Sequence, residues 1–230
     1  MFNRSWVVLL PGFFFAVSAG RSWAQSAVTL HFSVTWGNEA VSNKKAFANE
    51  SGSQNYRFTK IKQYVSGITL YKSGTEVWRD SSYHLIDFFD DKSSSVFLKN
   101  TPSDFDELRF LTGIDSAMQT RGVQGGALDP LNGMYWSWQS GYIHTKIEAS
   151  MIGVGEEETL ELHLGGYRYP SNTNQNIAVE CGDKQHVQLV LDLKPIVRLC
   201  EEKHGYKVMS PGNKAVELAK VWARSIAEKP

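Results

Sequence analysis

From residue 27 to about 197 the chain reads mainly as strands. Val28, Leu30, Phe32, Val34 and Trp36 alternate with Thr29, His31, Ser33 and Thr35. That period of two defines a half-buried strand stopping at Gly37. Tyr56 to Ile61 alternates as well, and Ile68 to Trp78 reads as a hairpin turning at Ser73-Gly74. Further strands are expected at Tyr83 to Phe88, Asp106 to Phe110, His144 to Ala149, Thr159 to Leu164 and His186 to Leu193. Short strands at this spacing predict a mainly β protein, an antiparallel β-sandwich.

Two segments depart from that period. Residues 113–142 are rich in Gly, Asp, Asn and Gln, which predicts a long ordered loop or a series of turns. Near the end, Ala215, Leu218, Ala219, Trp222 and Ile226 form an apolar stripe at helical spacing, with Ser210 as N-cap and Pro211 at the first helical position. This C-terminal amphipathic helix is expected to dock on the sandwich.

The first residues change the address. Arg4, the apolar run from Trp6 to Ala19 and the small residues Ser22 and Ala24 have the layout of a secretory signal peptide over residues 1–24. An uncleaved anchor is the weaker reading, because the run is short for a bilayer and carries Pro11-Gly12. Residues 25–230 are then a single β-rich domain, periplasmic, on the outer surface or secreted. Export makes Cys181 and Cys200 a candidate disulfide, with a thiolate metal pair as the alternative. With 24 basic and 24 acidic side chains, the chain has no electrostatic footprint for nucleic acid.

Motifs of nucleophile elbows, phosphate loops, zinc proteases and haem attachment are absent. Six histidines remain: His31, His84, His144, His163, His186 and His204. Imidazoles on the strands of an exported protein invite a copper or zinc site; the plain reading of each alone is a surface or hydrogen-bonded residue. Asp115, Asp129 and Asn132 are oxygen donors for a possible calcium ion, against a plainer reading as turn formers.

The run Gly113-Ile114-Asp115-Ser116, followed by Gly126-Ala127-Leu128-Asp129-Pro130-Leu131-Asn132-Gly133-Met134-Tyr135-Trp136-Ser137-Trp138-Gln139-Ser140-Gly141-Tyr142, resembles the signature of the MbnP-type copper-binding family. That family is associated with methanobactin operons and related to the CorA and MopE copper proteins of methane-oxidising bacteria. Val28 to Phe32, Lys60 to Ser66, Tyr83 to Asp87, His163 to Gly166 and Met209 to Gly212 extend the similarity.

The resemblance implies one copper ion held by two imidazoles and the arylamine of a kynurenine made from tryptophan. Such a protein has no catalytic turnover. It is itself the substrate of a dihaem, MauG/MbnH-like peroxidase partner. Carried onto this chain, the metal set is His31, His84 and Trp36. Strand parity opposes it: His31 and Trp36 reach one metal only if the strand bulges before Gly37. Trp136 and Trp138 with His163 are the competing set, otherwise an aromatic clamp on the loop. The expected role is copper acquisition, storage or delivery. The alternative is an exported β-sandwich module binding a glycan, peptide or protein without metal, and a hydrolase or redox enzyme is weaker still.

Overall fold

A computed structural model describes residues 25–137, 140–153, 158–181 and 185–228. The leader expected at 1–24 and Trp138 lie outside the described residues.

The elements run in order β1 (Gln25–Trp36), β2 (Glu39–Ala40), β3 (Phe47–Ala48), β4 (Asn55–Lys72), β5 (Thr75–Arg79), β6 (Tyr83–Asp87), β7 (Ser95–Pro102) and β8 (Glu107–Thr112). A short helix α1 (Ser116–Thr120) and two 3-10 turns lead to β9 (Tyr135–Ser137), β10 (Gly141–Ile152), β11 (Glu158–Gly165), β12 (Gln175–Glu180) and β13 (His186–Asp192). Then come α2 (Lys194–Leu199), β14 (Lys207–Val208), α3 (Asn213–Arg224) and β15 (Ile226–Glu228).

These strands make two sheets. The smaller runs β15-β13-β1-β2, with β7 also on β1; the larger runs β12-β8-β4-β10-β11-β14, with β3, β5 and β6 on β4 and β9 on β10. The sandwich-like, mainly β class is as the alternation predicts. The pairing is mixed, because β1 with β13 and β11 with β14 run parallel. Between the sheets lies one apolar core. β1 contributes Val28, Leu30, Phe32, Val34 and Trp36, β13 adds Val187, Leu189 and Leu191, and β10 and β11 supply Ile147, Leu160, Leu162 and Leu164.

Several boundaries differ from the sequence reading. The segments around 58 and 70 are one strand of 18 residues, which bends where Gly67 takes φ 58° at a register shift. Its end does turn at Ser73-Gly74, both at positive φ. Helix α3 buries Ala215, Leu218, Ala219 and Trp222, but begins at Asn213, with Gly212 rather than Ser210 at the N-cap position. Pro211 instead lies against Gly166, where a Cβ would come within 3.1 Å of its ring. Cys181 and Cys200 are not joined by a disulfide; both are buried in the core, where the Cys181 thiol donates to Val179 O at 3.5 Å.

Helix α3 is fastened to the large sheet through Gln63. Its Oε1 accepts from Thr145 Oγ1 at 2.9 Å and from the Trp222 indole, and its Nε2 donates to Tyr64 O at 2.8 Å. All of this is buried. Gln63→Leu strands the Trp222 and Thr145 donors in the core, each costing about 1–3 kcal/mol. The expected result is a lower urea midpoint with an unchanged slope.

Candidate metal centre

Strand β1 fixes two of the three expected ligands. Its register with β13 runs unbroken from Thr29 to Thr35, so no bulge resets the side-chain alternation there. His31 therefore faces outward and Trp36 inward. The Trp36 indole donates to Ala48 O at 2.9 Å, and its ring packs 5.9 Å from both Tyr56 and Phe58 and 6.3 Å from Phe47. His84 belongs to the other sheet, on β6, with Nε2 2.6 Å from Asp80 Oδ2. Burial pushes the Asp80 carboxyl up, but hydrogen bonds from His84 and Ser82 outweigh it and leave the group below its ordinary value. The structure thus does not gather His31, Trp36 and His84 into one place.

His31 has a different companion. Its ring lies 6.0 Å from that of His186 at 21°, near-parallel, on the exposed outer face of the small sheet. His186 pairs with Thr29, two residues before His31 on the same face. Ser95, directly opposite on β7, holds His31 Nδ1 at 2.8 Å, which leaves Nε2 open. Sequence reasoning missed this pair because the β1–β13 contact joins opposite ends of the chain. The available signal was that both histidines occupy the polar phase of their strands.

Residues 113–137 and 140–142 form a lid on the outer face of the large sheet. Ile114, Leu128, Met134, Tyr142 and Ile143 make a second apolar cluster there with Tyr64. Three phenols pin it: Tyr64 donates to Ala127 O at 2.9 Å, Tyr83 to Asp115, and Tyr142 to Gly122 O at 3.3 Å. Lys146 adds a bond to Gly133 O at 2.5 Å. The three residues considered for calcium serve as turn formers. Asp115 caps α1 through Met118 N at 3.0 Å, Asp129 accepts from Leu131 N at 2.9 Å, and the Asn132 amide donates to Gly126 O and Ala127 O. Among the described residues, no group of three or more His, Cys, Asp or Glu side chains is placed to hold a metal ion.

The competing tryptophan set is partly visible. Trp136 lies over Gly165, where a Cβ would stand 2.7 Å from its ring and 2.7 Å from Tyr142 O. Its Nε1 is buried with no partner. His163, on the same strand as Gly165, holds Glu148 Oε1 at 2.9 Å, and Lys60 takes the other carboxylate oxygen at 2.8 Å. Burial lowers the His163 pKa, outweighing the Glu148 hydrogen bond. His144 is closed off entirely: Gln119 Nε2 lies 2.6 Å from its Nε2 and Thr173 Oγ1 2.9 Å from its Nδ1. Burial drives its pKa down to about 3, so it is a neutral, structural imidazole.

Two packed sheets, with an imidazole pair on the outer face of one and a phenol-pinned Gly/Asp/Trp loop on the other, define a mainly β, sandwich-like protein. A family model described as MbnP matches residues 25–210. The chain belongs to the MbnP family. Its fold is similar to that of "MbnP from Methylosinus trichosporium", at 17% identity, covering 76% of this chain and 78% of that one, with a TM-score of 0.58. Comparison with curated proteins gives no match. Among the described residues, no helix is long and apolar enough to cross a membrane.

The buried His144 makes a pH prediction. The unfolded histidine takes up a proton near pH 6.5, whereas the folded one resists until about 3. Its contribution is therefore complete above pH ~6.5 and is lost as pH falls through that window. Urea unfolding from pH 7 to 4 should show a loss on the order of a few kcal/mol that is markedly smaller in His144→Asn.

Proposed function

We propose that this MbnP-family chain is an exported copper-binding protein, without turnover, that acquires, stores or delivers one copper ion. The observation that carries the reading is the His31–His186 pair on the outer face of the small sheet. Imidazole nitrogen suits copper, and a rigid sheet holds two such donors ready. Ser95 orients the His31 ring in the way that a hydrogen bond to the far nitrogen orients a metal-bound histidine. From their near-parallel arrangement 6.0 Å apart, both exposed rings must rotate about their χ angles to present nitrogens to one ion.

The family resemblance adds a kynurenine to two imidazoles, made by a dihaem, MauG/MbnH-like peroxidase. For Trp36 this meets a cost. Turning the ring to the face of His31 gives up its burial and its bond to Ala48, together about 3–5 kcal/mol. The geometry therefore supports His31 and His186 as the imidazole ligands. It gives less support to His84, held by Asp80, and to an arylamine at Trp36.

Competition titration against a chromophoric Cu(I) chelator tests this. His31→Ala and His186→Ala should each weaken copper binding by about tenfold or more, equivalent to at least ~1.4 kcal/mol, while His84→Ala stays near wild type. An unchanged affinity in the His31 and His186 variants would return the site to another set of ligands, and no copper binding in the wild type would favour a metal-free binding module. Peptide mass mapping of copper-loaded protein is expected to find Trp36 unmodified.

A further inference from the structure

The aromatic cluster under the end of β1 has a feature that packing does not require. Trp36 touches Tyr56 at 5.9 Å between ring centroids. Tyr56 is wholly buried except that its hydroxyl points along a 2.7 Å hydrogen bond to Glu201 Oε1. Glu201 is exposed, and Asn49 Nδ2 steadies the same oxygen at 3.0 Å. Phe47 and Phe58 fill the remaining faces of the indole. A phenylalanine at 56 would fill that space equally well. The hydroxyl is there with a carboxylate proton acceptor at bonding distance.

We propose that Trp36, Tyr56 and Glu201 form a one-electron relay that moves an oxidising equivalent from the buried indole to the Tyr56 phenol while the phenolic proton passes to the surface carboxylate of Glu201. The oxidant is any strong one-electron acceptor, of the high-valent haem or photo-oxidised metal-complex class. It takes one electron from Trp36 and leaves an indole radical cation. The indole N–H faces a carbonyl, which is no base, so that proton stays in place. The positive charge is then trapped among Phe47, Tyr56 and Phe58, where an unpaired charge is expensive.

Tyr56 relieves the trapped charge. One electron passes from the phenol to the radical cation, restoring Trp36. The phenolic proton moves to the Glu201 carboxylate, within the range for positioned proton transfer. The products are a neutral tyrosyl radical and a neutral carboxylic acid, so no buried charge remains. A small reductant of the ascorbate or thiol class then supplies one electron, and the proton returns from Glu201 to the phenolate oxygen. Burial, then Glu201, holds the Tyr56 pKa far above its ordinary value, so the resting group is the protonated phenol that this transfer needs. The inference is independent of copper binding.

The test uses the full chain, illuminated with a ruthenium polypyridyl complex and a sacrificial acceptor. Electron paramagnetic resonance follows the radical, and peptide mass spectrometry follows oxygen added to Trp36. The wild type should give a tyrosyl signal and little oxygenation at Trp36. Tyr56→Phe, and separately Glu201→Gln, should lose the signal and raise Trp36 oxygenation about tenfold, a conservative figure for removing a positioned proton acceptor. Acrylamide quenching of tryptophan fluorescence, unchanged across the three proteins, separates this effect from increased exposure. Equal oxygenation in all three proteins overturns the relay. So does a rise in Tyr56→Phe with none in Glu201→Gln, because the proton would then have no part in it.

Discussion

Strand β1 is clamped on both sides, parallel to β13 and antiparallel to β7, and this clamp decides what the rest of the molecule can do. Side chains in a paired strand alternate between two faces and cannot trade sides singly. Moving β1 by one residue would put Val28, Leu30, Phe32, Val34 and Trp36 in water, at about 1.5–3 kcal/mol each. No ligand bond to one ion offsets that total. His31 is held on the solvent face and Trp36 in the core, and chemistry must be assembled separately on each side.

On the solvent side, the parallel neighbour delivers an imidazole that the sequence places far away. On the core side, the indole meets a phenol and, through it, a surface carboxylate. Elsewhere the fold spends its polar groups on fixing position. Gln63 ties α3 to the large sheet, His144 joins α1 to the loop that follows β11, and three tyrosine hydroxyls hold the segment from Asp115 to Ala127 against the outer face. The Gly/Asp/Trp run that carries the family resemblance therefore has a structural use. Gly165 leaves room for Trp136, and Asp115 and Asp129 close turns.

Local periodicity made most strands legible, because burial on one face imprints a period of two that needs no partner to be seen. β7 and β12 escaped because each buries only two aliphatic side chains, Val96 and Leu98 in one and Ile177 and Val179 in the other. Helix α2 was hidden behind the apolar run of β13, although Pro195 in its first turn marks the change. The site was less legible than the fold. Alternation assigned His31 to the outer face and warned that Trp36 lies on the other, but pairing order is a long-range property. His186 became a neighbour only through a parallel ladder joining the two ends of the domain.

The central claim is that copper sits on the outer face of the small sheet between two imidazoles. Anomalous diffraction from crystals of the copper-loaded protein, collected at the copper edge, tests it most directly. The account predicts a single peak bonded to a ring nitrogen of His31 and a ring nitrogen of His186. A peak elsewhere, with both of those rings left unligated, would contradict it.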